Sequence, residues 1–298
     1  MRPNNVISAL RIHAVEEHTV NDQGAGGSST SDGNVEQINT RAAHPARVYN
    51  AWLGGKDNYA ADREAAEQAV AANPDIRPAV HANRAFLGRA VRYLATQAGI
   101  SQFLDIGTGI PTANNTHEVA QRAVPECRIV YVDNDPVVLA HARALLTSRP
   151  EGATAYIDAD LRDTDTILRQ AAETLDFSRP IGLVLVAILQ YIPDAEDPYG
   201  IVTRLLSSLP PGSHLVLSHP ASDIGATKVA ESMRRYNERA GQREQATPRD
   251  HTEVTRFFDG LDLLEPGVVR LPQWRPGSEA EETRELPMWC GVGAKTAP

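Results

Sequence analysis

The chain of 298 residues is long enough to bury a full core, as one large domain or as a domain with appendages. Its hydrophobic fraction of 42% and charged fraction of 22% are those of a globular protein, and no stretch approaches the roughly 18 uninterrupted apolar residues that would cross a membrane. A net charge of −9 argues against nucleic acid held by bulk electrostatics, and Cys127 and Cys290 are too few for a disulfide framework, which points to a reducing cytoplasm.

The opening "MRPNNVISALRIHAVEEH" lacks a continuous apolar segment of signal-peptide length and carries early acids. Residues 1–42 include "NDQGAGGSSTSDGN", small and polar, and read as a flexible segment. Residues 43–100 read as a helical cap leading into the core. "HPARVYNAWL" and "DREAAEQAVAA" have helical character and are separated by the Gly54-Gly55 pair. In "RPAVHANRAFLGRAVRYLATQAGI", Val80, Phe86, Leu87, Val91 and Leu94 share one helix face, with Gly99 beyond its end.

From about residue 101 to the C-terminus the chain alternates. "QFLDIG", "CRIVYVDND", "ATAYIDAD", "IGLVLVAIL" and "GSHLVLSH" read as strands. Between them, "NNTHEVAQRAV", "PVVLAHARALLTS", "TDTILRQAAETL" and "DPYGIVTRLLSSL" read as helices. "TPRDHTEVTRFFDG" adds a helix, and "LDLLEPGVVRL" and "LPMWCGVGAK" two strands near the sheet edge. Apolar strands alternating with helices predict a doubly wound α/β fold with a mostly parallel sheet covered on both faces.

Such folds bind ligands outside the carboxyl ends of the strands, at the switch in strand order. Asp105, Gly107, Thr108 and Gly109 follow the first strand, Asp133 and Asn134 the second, Asp160 and Leu161 the third, and Ala187 the fourth. Glycines after a strand let a backbone approach a nucleotide-like group. A pyrophosphate would be opposed by the carboxylate of Asp105, and Thr112 stands where a third glycine is often found. A sulfonium with an α-ammonium reverses that argument, so the three acids favour S-adenosylmethionine over NAD. Asp133 is then placed for the ribose hydroxyls, Asp160 for the adenine amine with Leu161 against the ring, and Arg84 for the methionyl carboxylate.

In order along the chain, "ARVYNAWLGGKDNYAADREAA", "HANRAFLGRAVRYLA", "GISQFLDIGTGIPTANNTHEVAQ", "VYVDNDPVVLAHARALL", "ADLRD", "GSHLVLSH" and "FFDGLDLLEPGVV" resemble the S-adenosyl methyltransferase family. The resemblance covers about residues 43 to 295. It implies a class I, Rossmann-like methyltransferase sheet of seven strands, the last antiparallel, with S-adenosylmethionine as cofactor. It also implies cofactor roles for Asp105, Gly107, Gly109, Asp133 and Asp160. The family often has a histidine just after the fourth strand, where this chain has Gln190.

The acceptor is not named by this pattern; a small molecule is expected, and oligomeric state is open. An amine or thiolate needs little acid–base help, whereas a hydroxyl benefits from a base. Gln190, Tyr191 and His219 stand near the strand ends, of which His219 alone has a suitable ordinary pKa. The segment around Gly54-Gly55 is either a lid over the cofactor or a helical corner whose aromatics simply pack. His117-Glu118 lacks the following histidine of a zinc site, so no metal is expected, and the acidic run at 279–285 reads as a solvated face. A non-catalytic protein that keeps the cofactor site for regulation or assembly is the alternative to an enzyme.

Overall fold

A computed structural model describes residues 38–145, 148–277 and 285–297. The polar N-terminal segment, save its last few residues, and the acidic run, save Glu285, lie outside the described residues.

Three helices lead in: α1 (Pro45–Trp52), α2 (Ala60–Ala72) and α3 (Ile76–Thr96). There follow β1 (Gln102–Ile106), α4 (Thr116–Ala123), β2 (Arg128–Asp133), α5 (Pro136–Leu145), β3 (Ala153–Asp158), α6 (Thr164–Ala171) and β4 (Gly182–Val186). The chain continues through α7 (Pro198–Ser207), β5 (His214–Pro220), α8 (Ala226–Asn237), α9 (His251–Thr255), β6 (Asp262–Leu263), β7 (Val269–Arg270) and β8 (Met288–Ala294).

The strand order is β3-β2-β1-β4-β5-β8-β6, with β7 also paired to β8. The first five of these strands are parallel, and β8 runs antiparallel to β5. Order reverses between β1 and β4, so the crevice of the doubly wound fold opens there. The period of two along each strand sends side chains to opposite faces. On β1, Leu104 and Ile106 join Val130, Leu183 and Leu215 in one core layer, while Phe103 joins Ile129, Val184 and Val216 in the other.

Among the described residues the sheet has eight strands, where the family resemblance implied seven. "LDLLEPGVVRL", expected as one strand, is divided into β6 and β7, which meet the same edge of β8 at different heights. Pro266 between them has no N–H for a ladder, and the chain turns at Gly267, whose N–H reaches Leu264 O at 2.8 Å.

α8 had no counterpart in the sequence reading. Tyr236 and Met233 on it pack toward α2 and join Val48, Ala65, Ala66 and Ala69 in a small apolar cluster of their own. The helical layer above the strand ends is therefore built from two distant stretches of sequence. Among the described residues no helix is long and apolar enough to cross a membrane.

Candidate active site

A cavity of about 290 Å³ lies at the β1–β4 switch. Of the residues singled out from sequence, Asp105, Gly107, Thr108, Gly109, Asp133, Asn134, Asp160, Leu161, Ala187, Arg84 and Tyr191 all line it. Gln190 and His219 do not.

The turn after β1 is fixed by backbone geometry. Gly107 (φ +75°) and Gly109 (φ +65°) both adopt the left-handed region that favours glycine. A Cβ on Gly107 would stand 2.5 Å from Ile188 Cγ1, whereas one on Gly109 would meet nothing within 4 Å. The first glycine thus admits a neighbouring side chain, and the second leaves open space beside the cavity. Gly107 N–H donates to Val132 O at 2.8 Å, and Thr108 Oγ1 donates to the same carbonyl at 3.2 Å.

Asp105 and Asp133 are both buried carboxylates. Thr116 Oγ1, at the start of α4, donates to Asp105 Oδ2 at 2.6 Å. Burial nevertheless pushes the Asp105 carboxyl up to about 6, with Thr116 and Arg84 opposing the rise and Asp133 adding to it. Asp133 is raised by burial as well, although it accepts the N–H groups of Gly109 at 2.8 Å and Asp135 at 3.0 Å. Two neighbouring acids held above their ordinary range mark a cavity short of positive charge.

Asp160 accepts from Arg162 Nη1 at 3.1 Å and from Asn134 Nδ2 at 3.3 Å. Arg162 Nη2 donates to Tyr191 O at 2.9 Å, and its Nε pairs with Glu196. Arg84 lines the cavity while its Nη2 donates to Asn114 O at 3.2 Å, bracing the loop between Pro111 and α4.

The sequence reading missed several lining residues. His44, Pro45 and Ala46 enter from the start of α1, and Arg243 and Glu244 from the loop after α8. His44 Nδ1 stands 2.7 Å from Asp135 Oδ2, and Arg47 Nε 3.2 Å from the same oxygen. Burial acts to raise Asp135, and His44, the Val137 N–H and Arg47 together outweigh it, holding this carboxyl below its usual range. The pair ties α1 to the turn that carries Asp133. Tyr49 was noted only as part of an aromatic-rich corner; its hydroxyl donates to Val80 O at 3.2 Å and accepts from Asn83 Nδ2 at 3.0 Å. No local pattern marks Asn83, whose Oδ1 takes the Ser218 hydroxyl at 2.7 Å across 135 residues of chain.

The Gly54-Gly55 corner is closed on itself. Asn50 Oδ1 accepts Asp57 N–H at 3.1 Å and Asn58 Nδ2 at 2.8 Å, and Trp52 Nε1 donates to Ala66 O at 3.1 Å. Its Lys56, Asp57 and Asn58 stand away from the cavity, while Tyr49 from the same segment lines it.

His219 sits fully buried between two partners. Its Nδ1 is 2.9 Å from Pro220 O, so it carries the proton, and its Nε2 accepts from Arg249 Nη1 at 2.9 Å. Burial lowers its pKa to about 3, and the lone pair is taken. A general-base role has no geometric support there. Tyr191 is pushed up to about 12 by burial and stays a phenol at neutral pH. Gln190 Nε2 donates to Ala187 O at 2.7 Å, next to the left-handed Ala187 (φ +54°).

His117, paired with Glu118 in the sequence reading, packs instead on Tyr131, whose hydroxyl lies 2.9 Å from Nδ1. Among the described residues no group of three His, Cys, Asp or Glu is placed to hold a metal ion.

Comparison with known proteins agrees with this architecture. The sequence model of a family described as S-adenosyl methyltransferase matches residues 31–296. The crystal structure of a DUF574 family protein from Streptomyces avermitilis is 43% identical, with a TM-score of 0.83, covering 87% of this chain and 100% of that one. A candidate methyltransferase from Thermobifida fusca is 39% identical, with a TM-score of 0.80, covering 88% and 98%. The carboxy-S-adenosyl-L-methionine synthase of Citrifermentans bemidjiense is 33% identical over 125 residues, which span 41% of this chain and 45% of that relative.

Proposed function

The chain belongs to the S-adenosyl methyltransferase family, and from that premise we propose that it binds S-adenosylmethionine in the β1–β4 cavity and transfers its methyl group to a small-molecule acceptor. The observation that carries the reading is Asp105, a buried carboxyl raised to about 6 with a hydroxyl as its hydrogen-bond partner. A ligand bringing positive charge relieves that cost, whereas a pyrophosphate adds to it. The open space at Gly109 suits close approach of the ligand to the backbone.

The chain's own residues divide the binding. Asp133 spends one lone pair of each oxygen on Gly109 and Asp135 and keeps others for the ribose hydroxyls. Asp160, steadied by Arg162 and Asn134, takes the adenine amine, with Leu161 against the ring. Arg84 serves the methionyl carboxylate, and Thr108 and Ala187 complete the wall. When bound, the cofactor supplies a methyl activated by its sulfonium. The chain contributes placement and exclusion of water, with residues 43–100 acting as the cap. Two buried free cysteines are consistent with a cytoplasmic setting.

Calorimetry with S-adenosylmethionine and S-adenosylhomocysteine tests the cofactor, and absence of heat at millimolar ligand overturns it. Release of S-adenosylhomocysteine over a panel of neutral and ionic metabolites tests the transfer. Binding without turnover on any of them returns the non-catalytic reading.

A further inference from the structure

A second cavity of about 70 Å³ lies under the helical layer and shares Tyr49, Ala187 and Tyr191 with the first. We propose that it is the acceptor pocket, and that it takes a neutral molecule of one aromatic ring carrying an N–H donor held by Gln190 Oε1. The assignment rests on the cofactor reading given above.

Three observations define the ligand. The walls are apolar and aromatic, with Trp52, Tyr236, Met233 and Met288 among them, and among the described residues no ionisable side chain other than tyrosine lines the space. A charged acceptor would enter without a counterion, and burial disfavours it. Into this space Gln190 and Tyr236 bring side chains that are only 4% and 2% exposed; Gln190 Oε1 and Tyr236 Oη are buried and make no hydrogen bond of ordinary length among the described residues, with Tyr191 the polar side chain that acts on both. Because Gln190 Nε2 is committed to Ala187 O, the amide presents its oxygen, which calls for a donor. The volume is several times the roughly 10–15 Å³ needed by one water and about half of a roughly 150 Å³ cavity that admits benzene. That volume holds part of a single ring, the remainder of which extends toward the cofactor cavity past the shared Tyr49, Ala187 and Tyr191.

The absence of a base in the lining selects nitrogen over a hydroxyl. An arylamine is neutral at pH 7 and attacks with its own lone pair. The N–C bond forms as the C–S bond breaks, the electron pair of the latter returns to sulfur, and the extra proton on nitrogen is released to water. One N–H stays on Gln190 Oε1 throughout.

The chain has three methionines, Met1, Met233 and Met288, and two of them line the pocket. Full-length protein labelled at the methionine methyls is titrated by NMR with aniline, toluene and benzoate, with and without S-adenosylhomocysteine. Aniline is expected to shift the Met233 and Met288 signals and to bind at least ~10-fold tighter than toluene, the deficit of an unpaired buried acceptor. Benzoate is expected to leave both signals in place. Gln190→Leu brings the aniline-to-toluene ratio to about one. Unmoved methionine signals, equal binding of aniline and toluene by the unaltered chain, or benzoate binding as well as aniline would each overturn the pocket. Met233→Trp, which fills the space, should abolish the aniline shift of Met288 and gives a second variant should Gln190→Leu not fold. Normal aniline binding without any S-adenosylhomocysteine binding would instead remove the cofactor reading.

Discussion

Asp133 Oδ2 accepts the backbone N–H of Gly109 at 2.8 Å, joining the end of β2 to the glycine turn after β1. The same carboxylate accepts Asp135 N–H through its other oxygen at 3.0 Å, so one side chain orders both loops that border the cofactor cavity. Truncation to alanine removes the ribose contacts and leaves these backbone groups unpaired. Asp133→Ala is expected to weaken S-adenosylhomocysteine by about 1–3 kcal/mol and to lower stability by a similar amount. Calorimetry and urea unfolding read the two effects separately. Unchanged cofactor affinity in the folded variant would refute the ribose assignment.

The two glycines of the turn make a matched pair of tests. Alanine at Gly107 carries both the cost of a left-handed backbone and a clash with Ile188, whose Cγ1 would lie 2.5 Å from the new Cβ. Gly107→Ala should lose about 2–4 kcal/mol of stability, read by urea unfolding. Gly109→Ala meets no protein atom within 4 Å and bears the backbone cost alone, about 1–2 kcal/mol. Its larger effect should be on S-adenosylhomocysteine affinity, with a loss of at least ~10-fold if that space is the ligand's. A Gly109→Ala protein that binds normally would place the cofactor elsewhere.

Asp105 predicts a pH dependence of definite sign. Its carboxyl is raised from 3.8 to about 6 in the folded chain, so between these values the folded state binds more protons than the unfolded one. Its unfavourable contribution, about 3 kcal/mol when fully charged, is present above pH 6 and disappears as pH falls toward 4. Asp133 is raised too and acts in the same direction. Asp105→Asn should raise stability at pH 7 and flatten this part of the profile. Cofactor affinity runs the other way: it should fall as pH drops below 6, by up to ~10-fold per pH unit, because protonation removes the charge that meets the sulfonium. Asp105→Asn should bind more weakly at neutral pH and lose that slope.

Period-two apolar patterning and strand-to-helix alternation made the parallel sheet legible, and strand ends ordered by topology brought Asp105, Asp133, Asp160 and Ala187 to one crevice as expected. What stayed hidden depends on distant pairing. α8 is mostly polar, with Val229, Met233 and Tyr236 as its larger apolar residues, and its partner, α2, lies more than a hundred residues away. Asn83 gains its role from Ser218, and His44 from Asp135, neither of which any local spacing announces. His219 has the ordinary chemistry of a base; burial lowers its pKa, and Arg249, contributed from beyond α8, takes its lone pair. The broken strand at 262–270 was misread because its apolar content outweighed Pro266 in the pattern.

Arg249 gives the last prediction. Its guanidinium, 1% exposed, donates to Leu189 O at 3.1 Å, Ile192 O at 2.8 Å, His219 Nε2 at 2.9 Å and Asp194 Oδ1 at 2.7 Å. It thereby holds the turn 189–191 that follows β4 and carries both Gln190 and Tyr191. Arg249→Met removes all four bonds and should cost about 3–5 kcal/mol, since two buried carbonyls and a histidine lose their donor. His219 adds a pH signature. Its folded pKa of about 3 lies below the ordinary 6.5, so the unfolded state binds more protons between them and stability falls as pH drops through that window. In Arg249→Met the adjacent positive charge and the donor to Nε2 are gone, so the histidine should titrate at higher pH and the acid-side loss should shrink. Urea unfolding from pH 7 to pH 4 measures both, and an acid limb unchanged in the variant would show that Arg249 does not control His219.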